Sequence, residues 1–251
     1  MTAYRMVDPQ PRLQSVVDDF ETASLRLESI LQHIENDGPV DGQLRVTMQN
    51  NMVVALCATI EETIRSIFSE YLAVLEESIR DHRNLRKTLQ NANLDSSVAA
   101  MKKLKSEHEI DRRAEIALNF EKCMKGRENY FLLREDITYN VANFRTEQVT
   151  EVAKRSGVAE ILQKVCDCNE LEEWTGREVL DTRVTVLCNQ WNEIFSERDL
   201  VVHRISSANG WAPDRIRRAI DLARLVIGRI NVCLREDART QLENEVQRSG
   251  S

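Results

Sequence analysis

The chain has 251 residues, of which 42% are hydrophobic and 30% charged, and its formal net charge is −7. This size fits one large or two small domains with a real core, and the composition excludes a disordered chain. Eight glycines, four prolines and 5% aromatic residues are few for sheets and tight turns. These values exclude an all-β fold and predict an all-α protein, and the negative charge gives no overall attraction to nucleic acid.

Targeting signals are not evident in the sequence. No stretch approaches the roughly 18 apolar residues that a membrane span requires. The first 14 residues contain no apolar run typical of a signal peptide. Most of the six cysteines stand in apolar helical stripes and not at the spacings of a disulfide framework. We therefore predict a reducing, cytoplasmic setting and no membrane contact.

The first two helices are predicted from apolar residues three and four positions apart. One covers about residues 11–36, before an Asp-Gly-Pro stop at 37–39, and the other covers about residues 44–75. The second helix has a wide stripe, which predicts burial on two sides. The stripe of the first consists of Leu13, Val16, Phe20, Ala23, Leu27, Ile30 and Ile34.

Residues 81–139 are charged and only weakly periodic. A helical pattern persists over residues 101–124 until Gly126 interrupts it. We predict that this region is a peripheral helical insertion, outside the main core, in a single domain spanning residues 1–251. A short helix over residues 146–156, closed by Gly157, follows it.

Two further helices are predicted near the C-terminus. One covers about residues 171–195, and the last begins at Pro213, a residue suited to the first helical position. Together with the first two, these helices predict a bundle of four to five core helices.

The most informative segment is the predicted break at residues 196–205, between these last two helices. It contains Arg198, Asp199 and His203. Arginine is a permanent forked cation that binds phosphate oxygens, and histidine exchanges protons near neutral pH. Five residues on a regular helix place Arg198 and His203 about 140° apart. They converge only if the helix ends or bends between them, or if a second subunit completes the site; otherwise His203 is an ordinary helix-end histidine.

This segment resembles the Arg-polar-(three or more)-His motif of the HEPN superfamily, an all-α family rich in ribonucleases. Two other segments resemble its RiboL-PSP-type branch: the apolar helix at 54–65, with its embedded acidic residues, and the run 140–157. The order of the segments matches that branch across most of the chain outside 81–139. The resemblance implies a HEPN-type helical bundle that acts as a homodimer.

The resemblance also implies a metal-independent endoribonuclease whose cleft is formed by motifs of both subunits. By position, Arg198 neutralises the scissile phosphate, His203 moves a proton and Asp199 orients one of them. A 2′-hydroxyl nucleophile would restrict cleavage to RNA. A toxin–antitoxin or antiviral defence role, with an antitoxin or sensor protein as partner, comes from the resemblance alone. Two departures are Asp199 where Asn is commonest, and Ile205 where some toxins carry a modifiable Tyr.

A local excess of basic residues accompanies the motif. Eight arginines and three aspartates lie between residues 198 and 235. They form either a surface that guides RNA or an ordinary solvated helix face. Trp211 either stacks on a base or acts as a hydrophobic staple. The predicted RNA-binding residues are Arg204, Arg215, Arg217 and Arg218.

Other chemistries have little support in the sequence. Cys166 and Cys168 are two apart, which is not the usual zinc-ligand spacing, and no nearby histidine completes a set. We therefore predict no metal site and no cofactor. Glu61 and Glu62 are candidate supporting acids, and one of them is expected to pair with an arginine such as Arg198.

Two alternatives to the ribonuclease stay open. One is a non-catalytic HEPN module for RNA binding or dimerisation, and the other is a helical scaffold that docks a partner through its apolar stripes. An Arg198/His203 pair that meets in a cleft would favour the enzyme.

Overall fold

The structure is a computed structural model that describes residues 8–36, 41–138, 143–203 and 211–249. Within those ranges the regular secondary structure is helical, with no strand, so the all-α prediction is confirmed. The described α-helices are α1 Pro9–Asn36, α2 Gly42–Ser78, α3 Lys87–Lys103, α4 Ile110–Lys125, α5 Arg134–Thr138, α6 Thr146–Arg155, α7 Ile161–Cys166, α8 Asn169–Thr175, α9 Leu180–His203 and α10 Pro213–Ser249.

Helix α2 forms the centre of the core, as its wide apolar stripe predicts. It packs against α1, α9 and α10, and α1 also packs against α10. Its side chains are buried on more than one side, since Val53, Ile60, Phe68 and Leu72 are all fully inaccessible. In α1, Leu31 is buried whereas Ile30 is 47% exposed, so the predicted position of Ile30 in the stripe is wrong.

The region at 81–138 contains α3, α4 and α5. Leu85, Leu89, Cys123 and Tyr130 are buried in contact with the main core, although the sequence predicted a region outside it. A small second cluster gathers Ala100, Ile116 and Leu133. That the whole chain forms one domain with a peripheral insertion stays a prediction.

Two predicted helices are each divided in two. The pattern at 101–124 is interrupted between α3 and α4, where the Glu109 carboxylate accepts hydrogen bonds from the backbone N–H groups of Lys105 and Ser106 at 3.1 and 3.0 Å. The pattern at 171–195 is interrupted after α8, because Gly176 adopts a left-handed conformation with φ 64°. Glycine takes that conformation without steric cost and ends helices in this way.

A buried polar network joins the far end of α2 to α10. The Tyr71 hydroxyl donates to Asp237 Oδ2 at 2.7 Å, and Gln241 Nε2 donates to both. Arg86 Nη1 donates to Asp237 Oδ1 at 2.6 Å and to the Gly157 carbonyl at 2.7 Å. We call Tyr71, Arg86, Asp237 and Gln241 the buried lock. Burial, reinforced by the Asp237 charge, raises the pKa of Tyr71 well above its ordinary value, so the hydroxyl stays a donor.

Among the described helices, none has an apolar stretch long enough to span a membrane.

Candidate functional site

The predicted break at 196–205 begins later than expected. Helix α9 continues to His203, so Arg198, Asp199 and His203 all lie on its last two turns. Because the helix is regular there, Arg198 and His203 diverge by about 140°. The structure of the single chain therefore does not bring this pair onto one face. His203 is exposed at the helix end, whereas Arg198 is partly buried.

Arg198 is held by residues from two other parts of the chain. Its Nη1 lies 3.3 Å from Glu61 Oε1 on α2, and it also donates to Asn143 Oδ1 just before α6. The Glu61 side chain is 12% exposed and that of Arg198 is 28% exposed. The guanidinium is thus oriented by partners, while part of the Arg198 side chain is exposed to solvent. The pairing of Glu61 with Arg198 agrees with the sequence expectation.

Two further arginines surround this pair. Arg65 Nη2 lies 3.6 Å from Glu61 Oε2, one helical turn away. Arg145 Nη2 donates to Asp199 Oδ2 at 2.8 Å. We call Arg65, Arg145, Arg198, Glu61 and Asp199 the arginine cluster. Its three cations exceed its two carboxylates by one charge, which favours an anionic ligand.

The segment before α6 is fixed so that Asn143 and Arg145 face α9. Trp191 Nε1 donates to the Phe144 carbonyl at 2.8 Å, and the Arg65 guanidinium lies 5.0 Å from the centre of the Phe144 ring. Asn143 has a φ of 58°, a left-handed conformation that asparagine tolerates better than most residues. Sequence reasoning did not assign site roles to Asn143, Arg145 or Arg65, although all three stand in the two segments, 54–65 and 140–157, that carried the family resemblance.

The Cys57 thiol lies beside the arginine cluster but is unreactive at neutral pH. Cys57 is fully buried and its Sγ donates to the Ile194 carbonyl at 3.7 Å. Burial raises the pKa of Cys57 to about 12, so the thiol stays protonated at neutral pH. It therefore offers no thiolate nucleophile.

The predicted RNA-binding arginines of α10 differ in their partners. Arg215 pairs with Glu193 on α9, and Arg217 pairs with Glu35 on α1. Arg218 is exposed and lies over the Trp174 ring at 5.6 Å, with no ion pair in the described part of the chain. Arg204 lies outside the described residues, as does Ile205.

The other candidates are separate from the arginine cluster. Glu62 lines a polar groove between α1 and α2 together with Arg12 and Asp19. Burial raises the pKa of Cys166 to about 12, and Cys168 is half-buried. All six cysteines are free thiols. Across residues 8–36, 41–138, 143–203 and 211–249, no three or more His, Cys, Asp or Glu side chains group as metal ligands would.

Trp211 occupies the position predicted for a staple. It lies two residues before the first residue of α10 and is 4% exposed, in the same apolar core as Ile216. The Arg215 guanidinium covers its ring at 4.2 Å. The ring is therefore packed against protein on at least one face.

Comparison with protein families identifies the chain. A family model described as RiboL-PSP-HEPN matches residues 18–236, a range that includes α2, the segment before α6, the whole of α9 and most of α10. Comparisons with curated proteins and with solved structures give no match. The family match indicates a nuclease or an RNA-binding module. The chain belongs to the RiboL-PSP-type branch of the HEPN superfamily.

Proposed function

We propose that the protein is a metal-independent endoribonuclease in which Arg198 and His203 act on the RNA phosphodiester. The observation that carries this proposal is the arginine cluster, which orients Arg198 beside the exposed end of α9 and leaves a positive charge in excess. Membership of a family that contains nucleases supports the same function.

Arg198 is proposed to bind the scissile phosphate. Its guanidinium donates two parallel hydrogen bonds to phosphate oxygens and neutralises the charge that develops in the transition state. Glu61 and Asn143 hold it in place, which reduces the entropy lost when the phosphate binds.

His203 is proposed to transfer the proton. The RNA 2′-hydroxyl attacks the adjacent phosphorus, the bond from phosphorus to the 5′-oxygen breaks, and the products are a 2′,3′-cyclic phosphate and a 5′-hydroxyl. His203 either accepts the proton of the 2′-hydroxyl, while water protonates the leaving 5′-oxygen, or donates a proton to the leaving oxygen, while water takes the proton of the 2′-hydroxyl. DNA is spared because it lacks the 2′-hydroxyl.

Two copies of the chain are proposed to form one cleft. Arg198 and His203 diverge by about 140° on a regular helix, so one copy alone presents them to different sides. Juxtaposing the exposed ends of two α9 helices would let the histidine of one copy meet the arginine of the other. The assembly is therefore a homodimer.

Asp199 and the basic helix have supporting roles. Asp199 binds Arg145 and thereby positions the segment that also holds Arg198. The RNA backbone is proposed to be attracted by four basic residues, Arg204, Arg215, Arg217 and Arg218. Arg215 and Arg217 contribute less to this attraction, because each forms an ion pair with a glutamate. A role in toxin–antitoxin or antiviral defence in the cytoplasm, with an antitoxin or sensor protein as partner, completes the proposal.

The test is RNA cleavage by the purified protein in the presence of EDTA. We expect wild type to cleave total RNA, and His203→Ala to lower the rate by about 10²- to 10⁴-fold. Arg198→Ala should cause a loss of the same order. His108→Ala is the matched control, because His108 is an exposed histidine in the 3₁₀ turn before α4. Cleavage that survives His203→Ala, or that EDTA abolishes, would refute the mechanism.

Oligomeric state provides a second readout. One chain has a mass of 28.9 kDa. Light scattering at the assay concentration should give about twice that mass if the cleft is shared, and a monomer that cleaves RNA would refute the composite site.

A non-catalytic RNA-binding or dimerisation module is the second candidate. The regular course of α9 favours it, because the single chain does not bring Arg198 and His203 onto one face. RNA binding by wild type that Arg198→Ala weakens, without cleavage in any condition, would select this module over the enzyme.

A further inference from the structure

A cavity of about 260 Å³ lies between α8, α9 and the start of α10, apart from the arginine cluster. Aromatic and charged side chains dominate its walls. They include Trp174, Gln190, Glu193, Trp211, Arg215 and Arg218. Two indole rings and two guanidinium groups around one small space form a suitable environment for a flat, polar ligand.

The side chains around the cavity are held in fixed positions. Trp174 Nε1 donates to Gln190 Oε1 at 2.9 Å, which orients the ring toward α9. The Arg215 guanidinium stacks on Trp211 at 4.2 Å and also binds Glu193. The cavity is therefore preformed in the free chain, which lowers the cost of binding a ligand.

The Trp211 indole contributes its ring to the cavity but not its N–H group. Trp211 is 4% exposed, and its Nε1 is inaccessible to solvent, so a ligand in the open cavity does not reach this atom. The ring is an apolar wall against which a flat ligand packs.

Arg218 is the cation of the cavity wall that is available for a ligand. The neighbouring Arg215 and Arg217 form ion pairs with Glu193 and Glu35. Within the residues that the structure describes, Arg218 contacts the Trp174 ring and has no ion pair. Its guanidinium retains donors for a planar pair of acceptors.

We infer that this cavity binds a guanine base of the RNA strand, an inference that rests on RNA being the ligand of the proposed function. Guanine carries two acceptors, O6 and N7, along one edge, which match the forked donors of the Arg218 guanidinium. The N1–H and N2–H₂ groups of its other edge donate to the Glu193 carboxylate. Adenine places a donor where guanine has O6, and pyrimidines have no N7 and no neighbouring N–H and NH₂ groups to donate to Glu193.

The position of the cavity fits a base near the cleavage point. Gln190 on its wall and Arg198 lie on the same helix, eight residues apart, which corresponds to about 12 Å along the axis. A guanine in the cavity would thus lie a few nucleotides from a phosphate on Arg198. The cavity would determine which phosphodiester reaches the arginine cluster.

The experiment measures base preference without cleavage. Uridine oligonucleotides with 2′-O-methyl groups throughout and one central guanine, adenine or cytosine are titrated with wild type by fluorescence anisotropy. We expect about tenfold tighter binding of the guanine oligonucleotide, the order expected for one bidentate base contact. A 7-deazaguanine in the same place should lose most of that preference.

One variant and a matched control locate the preference. Arg218→Ala should abolish the guanine preference, because it removes the donors to O6 and N7. Arg217→Ala removes the same charge one residue away, outside the cavity. It should weaken all three oligonucleotides alike and keep their ranking. Equal affinities for the three bases in wild type, or a ranking that Arg218→Ala does not alter, would overturn the inference.

Two further arms separate this inference from the proposed function. Guanosine monophosphate should compete only weakly with the guanine oligonucleotide, and competition as strong as that of the oligonucleotide itself would overturn RNA as the source of the base. Cut sites in cleavable RNA should fall near guanines in wild type and lose that bias in Arg218→Ala. A guanine preference without any cleavage would refute the nuclease alone, whereas cleavage without a guanine bias would refute the cavity alone.

Discussion

The buried lock and the arginine cluster are both polar networks anchored on α2, but they differ in exposure and in charge. In the lock, Tyr71 is fully buried, Asp237 and Gln241 are each 7% exposed, and one carboxylate faces one guanidinium. In the cluster, the side chains of Asp199 and Arg145 are each 33% exposed, and three arginines face two carboxylates.

The difference separates a network that supports the fold from one that is available to a ligand. In the lock, the Asp237 carboxylate accepts bonds from three side chains, so its charge is compensated inside the protein. The cluster holds its side chains with similar bonds but keeps a positive charge near solvent. Substitutions in the lock should therefore lower stability, and substitutions in the cluster should mainly change cleavage activity or RNA affinity.

Asp237→Ala should give the largest loss of stability. Removing the carboxylate leaves the Tyr71 hydroxyl, Gln241 and Arg86 without their shared acceptor. Breaking a buried ion pair from one side costs about 3–5 kcal/mol, and we expect a loss near the low end because the Arg86 side chain is 36% exposed. Urea unfolding followed by circular dichroism measures it.

The control for the lock is Tyr71→Phe, which removes one donor and leaves the ion pair intact. It should cost about 1–2 kcal/mol. RNA affinity per folded molecule should be unchanged in both variants. A change in affinity at full folding would show that the two networks are coupled.

Acid should weaken the fold through His82. This ring is 1% exposed, packs edge-on against Tyr130 at 5.2 Å, and lies 3.3 Å from Asn93 Nδ2. Burial lowers the pKa of His82 to about 4, from about 6.5 in the unfolded chain, although the Asp81 charge opposes the shift. Between pH 6.5 and about 4 the unfolded chain therefore binds a proton that the folded chain does not.

The contribution of the neutral His82 ring to the free energy of unfolding is fully present above pH 6.5. It is lost as the pH falls toward 4, and the total loss is about 3 kcal/mol. The measurement is urea unfolding at steps between these values, in wild type and in His82→Gln. The histidines at 33, 108 and 203 are exposed and present in both proteins, so their contributions cancel in the difference. Parallel pH profiles for the two proteins would contradict the prediction.

Glu61→Gln tests the anchor of Arg198. The variant keeps the shape but loses the charge that binds Arg198 and Arg65, and hydrogen bonds to charged groups are worth about 1.5–3 kcal/mol when buried. We expect about 1–2 kcal/mol of lost stability, because Arg198 keeps Asn143 and stays partly solvated. The same variant should lower the cleavage rate, since the guanidinium is no longer oriented.

The matched control for Glu61 is Glu62→Gln, which removes a carboxylate one residue away on the groove between α1 and α2. An equal fall in cleavage rate in both variants would show that the effect comes from overall charge and not from orientation of Arg198.

Most of the fold was predictable because the spacing of apolar residues determines where the long helices form and which of their faces are buried. The stripes of α1, α2, α9 and α10 predicted the four long helices, and Pro213 correctly marked the start of the last one. The interruptions at Gly176 and before Glu109 were missed, because they depend on one backbone conformation and one side-chain cap within otherwise helical patterns. The end of α9 was also missed, since a polar motif gives no sign of whether the helix continues.

The candidate site was only partly predictable from the sequence. Arg198, Asp199 and Glu61 stood out because a polar motif and an acid in an apolar helix are unusual. Asn143 and Arg145 reach the site from a segment some fifty residues earlier. Such contacts depend on how α6 packs near α9, and local sequence does not encode that packing. The cavity at Trp174 and Trp211 has the same origin, as three separate helices form it.

Asp199→Asn should have the smallest effect on stability. It tests whether the arginine cluster, unlike the buried lock, can lose a charge without destabilising the fold. Asp199 pairs with Arg145 at 2.8 Å, with a third of each side chain exposed, and pairs of this kind contribute about 0.2–1 kcal/mol. We expect a loss below about 0.5 kcal/mol, because the asparagine amide still accepts from Arg145. RNA binding should become tighter, since one negative charge beside the phosphate site is removed, and cleavage should persist. A stability loss above about 2 kcal/mol would show that Asp199 supports the fold, as the residues of the buried lock do. Weaker RNA binding would show that the Asp199 charge orients Arg198 or His203 and does not oppose the phosphate.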